Sequence, residues 1–380
     1  MGKNIVICCD GTGNDFGARN SNVVKLFALL EKTAFKQVVY YDPGVGTSSS
    51  YDAFLPLTKT LKRLVGNAFG YGITQNVMDA YSFLMRHYEE GDKVFLFGFS
   101  RGAYTIRVLA GLVNRCGILY PDNSNLIPES IRIFKNTDKE SWRIANSFKN
   151  TFCRPGHDLK FMGLWDTVTS YGWIYSPISF PYTTQNKSIE TVCHAISLDE
   201  RRAFFPQNLF GGNGNGKVKQ VWFAGVHSDI GGGYLPARSG LGNLTLEWML
   251  LEAKGSGLLF NEDDARKMVS SIPDNHLADQ NEELKGGWLV AEVLPKLKKI
   301  PKNSLGAPLN WLYSWTEKDF VPIPYFNLGR RRNLKKVLNL TLHESLAKRI
   351  AERPDYRPCN LVKKDGSFKY DYLLEPWKNL

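Results

Sequence analysis

The chain has 380 residues, of which 43% are hydrophobic and 13% aromatic, enough to fill one large core or two ordinary ones. No run of about 18 apolar residues occurs, so no transmembrane helix is expected. The net charge of +11 is scattered; it suits contact with an anionic membrane surface. With no zinc-finger, RNA-recognition or helix-turn-helix pattern, no nucleic-acid partner is expected.

In chain order, Met1-Gly2-Lys3-Asn4 lacks the apolar stretch and cleavage site of a signal peptide, and Val6 stands where myristoylation wants Ser or Thr. Residues 4–9 (NIVICC) read as a strand that ends at Asp10-Gly11-Thr12. A helical pattern over 21–31 and a strand over 37–41 follow. Residues 44–70 mix glycine, serine and apolar side chains and form a candidate lid. A helix over 72–88 precedes a strand at 93–97, apolar from Val94 to Phe97, which runs into Gly98-Phe99-Ser100-Arg101-Gly102. A helix over 101–116 begins at once. Residues 117–157, with a polar helix around 138–150, form a second candidate insertion. A strand over 159–165 ends at Asp166. Residues 185–200 read as helical, 211–216 (GGNGNG) as a loop, and 218–226 as a strand ending at His227. Beyond 236 helices dominate, one carrying Leu244, Leu246, Trp248, Met249, Leu250 and Ala253, another near Leu342, Leu346 and Ile350. The basic runs at Lys296, Lys298 and Lys299, and at Arg330-Arg331-Arg332 with Lys335 and Lys336, read as solvated surface.

Apolar strands alternating with helices predict an α/β fold: a mostly parallel sheet with helices on both faces, cap insertions, and a helical C-terminal part, all in one domain spanning 1–380. Such sheets place functional residues at the carboxyl ends of their strands, where Asp10, Asp42, Ser100, Asp166 and His227 fall. The cysteines at 8, 9, 116, 153, 193 and 359 match no zinc spacing. They read as reduced thiols of a protein made in the cytosol and either kept there or exported without a cleaved signal.

Gly-x-Ser-x-Gly between a buried strand and a helix is the layout of a nucleophile elbow, a sharp turn that lifts a serine hydroxyl out of the sheet. A serine nucleophile needs a base, and the base needs a carboxylate to hold its tautomer. Of six histidines only His227 directly follows a strongly apolar strand; His87, His276 and His343 read as helix surface or helix start, His194 as packed, and His157 as lying at the far end of its strand. Asp166 is the expected acid, because Asp158 precedes its strand and Asp229 sits in the turn beside the base. The N–H of Arg101 is one expected oxyanion donor. Gly11 or Thr12 is the expected second, with Asp10 either leaving that loop free or pinning it. No metal or cofactor is expected.

The segments Cys9-Asp10-Gly11-Thr12, Tyr41-Asp42-Pro43-Gly44-Val45-Gly46-Thr47, Gly98 to Tyr104, Leu164-Trp165-Asp166-Thr167-Val168, Val221 to Asp229 and His343-Glu344-Ser345-Leu346, in this order, resemble a known family. It is the α/β-hydrolase-like family that contains the phospholipase effectors of bacterial type VI secretion. The resemblance implies a serine esterase or lipase acting on an ester or lipid substrate, with the nucleophile on Ser100, the acid on Asp166 and the base on His227. Two alternatives stand beside it. Ile7-Cys8-Cys9-Asp10-Gly11-Thr12 prompts a haloacid-dehalogenase-type phosphatase, but Cys8 occupies the nucleophile's position. The other is a non-catalytic binding protein that kept the fold.

Overall fold

The computed structural model describes residues 2–11, 17–44, 67–168, 180–202, 205–211, 216–285, 289, 292, 296–301, 320–325, 328–335, 337 and 339–380. Thr12 and most of the candidate lid at 44–70 lie outside the described residues.

Six long strands carry the fold: β1 (Asn4–Cys9), β2 (Gln37–Asp42), β3 (Lys93–Phe99), β4 (Asp158–Trp165), β5 (Ile189–Ser197) and β6 (Lys217–Phe223). After an antiparallel pair, β7 (Lys296–Pro301) and β8 (Phe320–Tyr325), come two three-residue strands, β9 (Thr341–His343) and β10 (Leu373–Glu375). The main sheet has eight strands in the order β10-β9-β6-β5-β4-β3-β1-β2, every neighbouring pair parallel. This is the parallel α/β sheet that the alternation implied, consistent with the α/β-hydrolase-like fold that the resemblance implied.

Side chains of a strand point alternately to opposite faces, so a sheet covered twice is apolar at every position. In β3, Val94 and Leu96 face one core while Phe95, Phe97 and Phe99 face the other. Helices α2 (Asn67–His87) and α3 (Arg101–Cys116) cover the first face, and α4 (Ile127–Lys135) and α5 (Lys139–Phe152) pack on α3. Phe134, Ala145 and Phe148 join that core, so residues 127–152, most of the second candidate insertion, form a packed layer of the body. Asp138 caps α5, accepting the Ser141 N–H at 2.7 Å. The opposite face is covered by α1 (Asn22–Leu29), α7 (Gly240–Gly255) and α8 (Glu262–Val269), with the five-residue α6 (His227–Gly231) at the end of β6. All six apolar residues expected to bury α7 are buried.

Two expectations are corrected. Residues 189–197 form strand β5 between β4 and β6, not a helix. Burial on both faces removes alternation, and Ile189, Val192, Cys193 and Ile196 then fall at spacings of three and four that imitate a helix. The last part is also not purely helical: Leu342 belongs to β9, and the helix near it, α9 (Glu344–Glu352), starts two residues later.

At the β3–α3 corner the chain passes very close to β1. A Cβ on Gly102 would come 2.1 Å from the Cys9 carbonyl oxygen, and one on Gly98 would come 2.7 Å from the Ala103 backbone. Gly98→Ala and Gly102→Ala should each lower stability by about 1–3 kcal/mol through overpacking against backbone. Urea denaturation measures this, and unchanged midpoints in both variants would contradict the close approach.

Candidate active site

Ser100 sits between β3 and α3 with φ 57° and ψ −119°, in a region that costs a non-glycine residue about 1–3 kcal/mol. Its surroundings hold it there. Its N–H donates to the Trp165 carbonyl at 3.0 Å, and its carbonyl accepts the Tyr104 N–H at 3.3 Å as the first bond of the helix. The hydroxyl is thereby presented at the carboxyl edge of the sheet, over the positive end of α3.

His227 opens α6. Its Nε2 lies 2.8 Å from Ser100 Oγ and its Nδ1 2.6 Å from Asp166 Oδ2. An ionised carboxylate can only accept, so Nδ1 donates to it and Nε2 is the ring nitrogen that faces the hydroxyl. The ring is wedged between Phe99 and Phe205, with centroids 4.6 and 4.8 Å away. Its backbone N–H donates to Glu200 at 3.2 Å. Glu200 pairs with Arg202, which also pairs with Glu283, and Glu283 accepts the Ser228 N–H at 3.2 Å. Asp229 anchors the turn, accepting the N–H groups of Val226 (3.0 Å) and Asn281 (3.2 Å) and the Asn281 side-chain amide (2.7 Å).

Asp166 follows β4 and is buried. Oδ1 accepts the Ser197 N–H at 2.9 Å and Arg332 Nη1 at 2.5 Å. Oδ2 accepts His227 Nδ1, Arg332 Nη2 at 3.0 Å and the Ser197 hydroxyl at 3.2 Å. Burial pushes this carboxyl up, but the charge of Arg332 and the His227 contact outweigh it and hold it well below the usual carboxylate range. Arg332 itself is buried, and Arg331 pairs with Asp199. The expectation of a solvated surface for this arginine run is therefore corrected: two of its three members pair with buried carboxylates.

One expected oxyanion donor is also corrected. The Gly11 N–H is already given to Asp10 Oδ1 at 2.6 Å, and Asp10 Oδ2 accepts the hydroxyls of Ser21 (2.5 Å) and Tyr41 (3.0 Å). Asp10 thus pins the loop. Arg101, the other expected donor, is the first residue of α3.

The remaining histidines stand apart from this cluster. His194, buried in β5, accepts the Thr167 N–H on Nε2 at 3.1 Å. Burial, with Arg107's charge adding, pushes it down to about 3, so it is neutral at ordinary pH. His343 caps α9 from a buried position, and His276 faces Glu352 at 2.8 Å. All six cysteines are free thiols and five are buried. Among the described residues there is no group of three or more His, Cys, Asp or Glu able to hold a metal ion, and no helix long and apolar enough to cross a membrane.

Residues 3–252 match the family described as T6SS phospholipase effector Tle1-like, catalytic domain, and the chain belongs to it. It is 36% identical over 226 residues to the uncharacterised protein YEL023C of Saccharomyces cerevisiae, covering 55% of this chain and 33% of that one. Among solved structures it is similar to an uncharacterised protein from Pseudomonas aeruginosa, with 18% identity and TM-score 0.40 over 72% of this chain and 48% of that one. It is also similar to the Tle1 effector in a structure bound to the VgrG spike of the Type 6 secretion system, with 21% identity and TM-score 0.38 over 63% and 53%. The chain thus spans about a third of the yeast relative and about half of each solved chain.

His194 holds the backbone that follows Asp166, and its depressed folded value fixes a pH dependence. A histidine lowered from about 6.5 to about 3 contributes stability that is fully present above its unfolded value and is lost as pH falls towards 3. Burial raises Asp229 to about 7, which acts in the opposite sense over part of that range. His194→Gln, which keeps an acceptor for Thr167, isolates the histidine. Its loss of stability between pH 7 and pH 4, from urea midpoints, should be smaller than wild type's, and equal losses would refute the assignment.

Proposed function

We propose that this chain is a serine hydrolase that cleaves carboxylic esters, with phospholipids as its substrate class, through an acyl-serine intermediate. The observation that carries the reading is the unbroken relay from Ser100 Oγ to His227 Nε2 at 2.8 Å and from His227 Nδ1 to Asp166 Oδ2 at 2.6 Å. These distances lie within hydrogen-bond reach for nucleophile, base and orienting acid. Membership of the phospholipase effector family supports the lipid substrate, and the net charge of +11 suits approach to an anionic bilayer.

In this reading Ser100 Oγ attacks the acyl carbon while its proton passes to His227 Nε2. The carbonyl oxygen becomes an oxyanion, which accepts from the N–H of Arg101 at the start of α3 and from a second donor in the loop after β1. Asp166 stabilises the imidazolium without taking its proton. The tetrahedral intermediate collapses, the C–O bond to the alcohol breaks, and Nε2 returns the proton to that leaving oxygen. A water then repeats the sequence, giving up a proton to Nε2, and frees the fatty acid and the serine. The phosphatase alternative has less support. Cys8 is buried within β1 with its thiol pushed up by burial, and Asp10 is committed to three hydrogen bonds.

A fluorophosphonate probe should label wild type and fail to label Ser100→Ala. Ser100→Ala and His227→Ala should each lower kcat by about 10⁴–10⁶-fold on a soluble ester, and Asp166→Asn by about 10³–10⁴-fold. Equal labelling of the serine variant would end the reading. Hydrolysis of soluble esters with intact phosphatidylglycerol vesicles left uncut would remove the phospholipid part alone.

A further inference from the structure

We propose that Arg332 is a positioning residue for this site: its guanidinium grips both oxygens of Asp166 and, through that carboxylate, keeps His227 aimed at Ser100. The inference rests on the serine-hydrolase reading above. Arg332 lies in the segment 328–335, well past residue 252 where the catalytic-domain match stops.

Three features separate this contact from an ordinary ion pair. The first is its shape. Nη1 donates to Oδ1 at 2.5 Å and Nη2 to Oδ2 at 3.0 Å, so two parallel bonds fix the plane of the carboxylate and not merely its distance. The second is that the guanidinium is itself immobilised. Nη1 also donates to the Ser197 carbonyl (3.0 Å) and hydroxyl (2.8 Å), and Nη2 donates to the Phe205 carbonyl (2.8 Å). Phe205 is the residue whose ring packs edge-on to His227, so one cation holds both the acid and a wall of the base's slot. The third is burial. The side chains of both Arg332 and Asp166 are almost free of solvent contact, at 3% and 1% exposure, so water cannot substitute for either partner.

The charge arithmetic gives the grip a chemical consequence. A buried carboxylate beside a neutral imidazole carries one uncompensated negative charge, which favours a proton on either group. Pairing with Arg332 supplies the compensating positive charge. The other charged groups around it pair with one another: Glu200 and Glu283 share Arg202, while Asp199 faces Arg331. His194 stands behind the end of β4 and is neutral, Arg107 lies beyond it, and Asp229 is turned into its own backbone bonds. Arg332 is thus the cation that touches the acid. Without it, a proton would settle on Asp166 or be held by His227, and both changes move the acid limb of activity to higher pH.

The test uses the full chain with Arg332→Met and Arg332→Lys, assayed on a soluble ester across pH, with urea midpoints and Ser100→Ala alongside. Arg332→Met should lower kcat by about 100-fold with little change in KM, as expected for a misaimed base, and should move the acid limb of kcat/KM to higher pH. Arg332→Lys keeps the charge but not the fork. It should leave the limb close to wild type and still lose about tenfold in kcat. A folded Arg332→Met with the wild-type limb and kcat, or with only a lowered urea midpoint, overturns the proposal. If Arg332→Met does not fold, the lysine variant decides: an unchanged kcat there overturns it and a lowered kcat with constant KM supports it. Residual cleavage by Ser100→Ala at the wild-type rate would instead show that the serine reading has failed, independently of Arg332.

Discussion

A carboxylate removed from water must find its solvation inside the protein, and the fate of Asp166 organises much of this molecule. Its two oxygens receive five hydrogen bonds, from Ser197, Arg332 and His227. Breaking a buried pair of this kind by removing one partner typically costs about 3–5 kcal/mol, because the charge that remains cannot be rehydrated. The segments that deliver those donors are consequently not free to wander: the end of β5, the turn after β6 and residues 328–335 must all arrive at one point.

The sheet makes that convergence possible. With every strand of the main sheet parallel, all carboxyl ends lie along one edge, and each connection returns the chain to the opposite edge. Ser100 ends β3, Asp166 ends the adjacent β4, and His227 ends β6, two positions further along the order. The intervening strand, β5, contributes Ser197 at its end, where it receives Asp166 from the side. The spacing of strands across a sheet, about 4.8 Å, sets the reach between these ends, and histidine is long enough to bridge what the backbone leaves open.

Much of this was legible in the residues because the chemistry of a nucleophile elbow is local. Gly98 and Gly102 are needed within four residues of each other, and a strand and helix must abut them. Asp166 and His227 could be picked out because apolar strands lead straight into them. β5 was illegible as a strand because burial on both faces erased the alternation that marks one, and β9 and β10 are too short to show any period. Arg332 was illegible for a different reason. Three consecutive arginines look alike in sequence, and nothing in their spacing says which of them points inward. The useful signal was indirect: an acid expected to be buried at the site implies a cation somewhere in the chain. Gly11 failed as a donor because Asp10, one residue earlier, bends its carboxylate back onto the same N–H, a contact that depends on Ser21 and Tyr41 holding the other oxygen.

The position of Arg332 also bears on where this chain can be cut. An excised fragment ending at residue 252 would keep Ser100, Asp166 and His227, and would look complete by inventory. It would lack the guanidinium on Asp166, Glu283 beneath the turn that carries His227, and β9, which pairs with β6. Modularity drawn from likeness along the chain and modularity drawn from charge balance thus part company here, since the partners of Asp166 and β6 extend to Leu342.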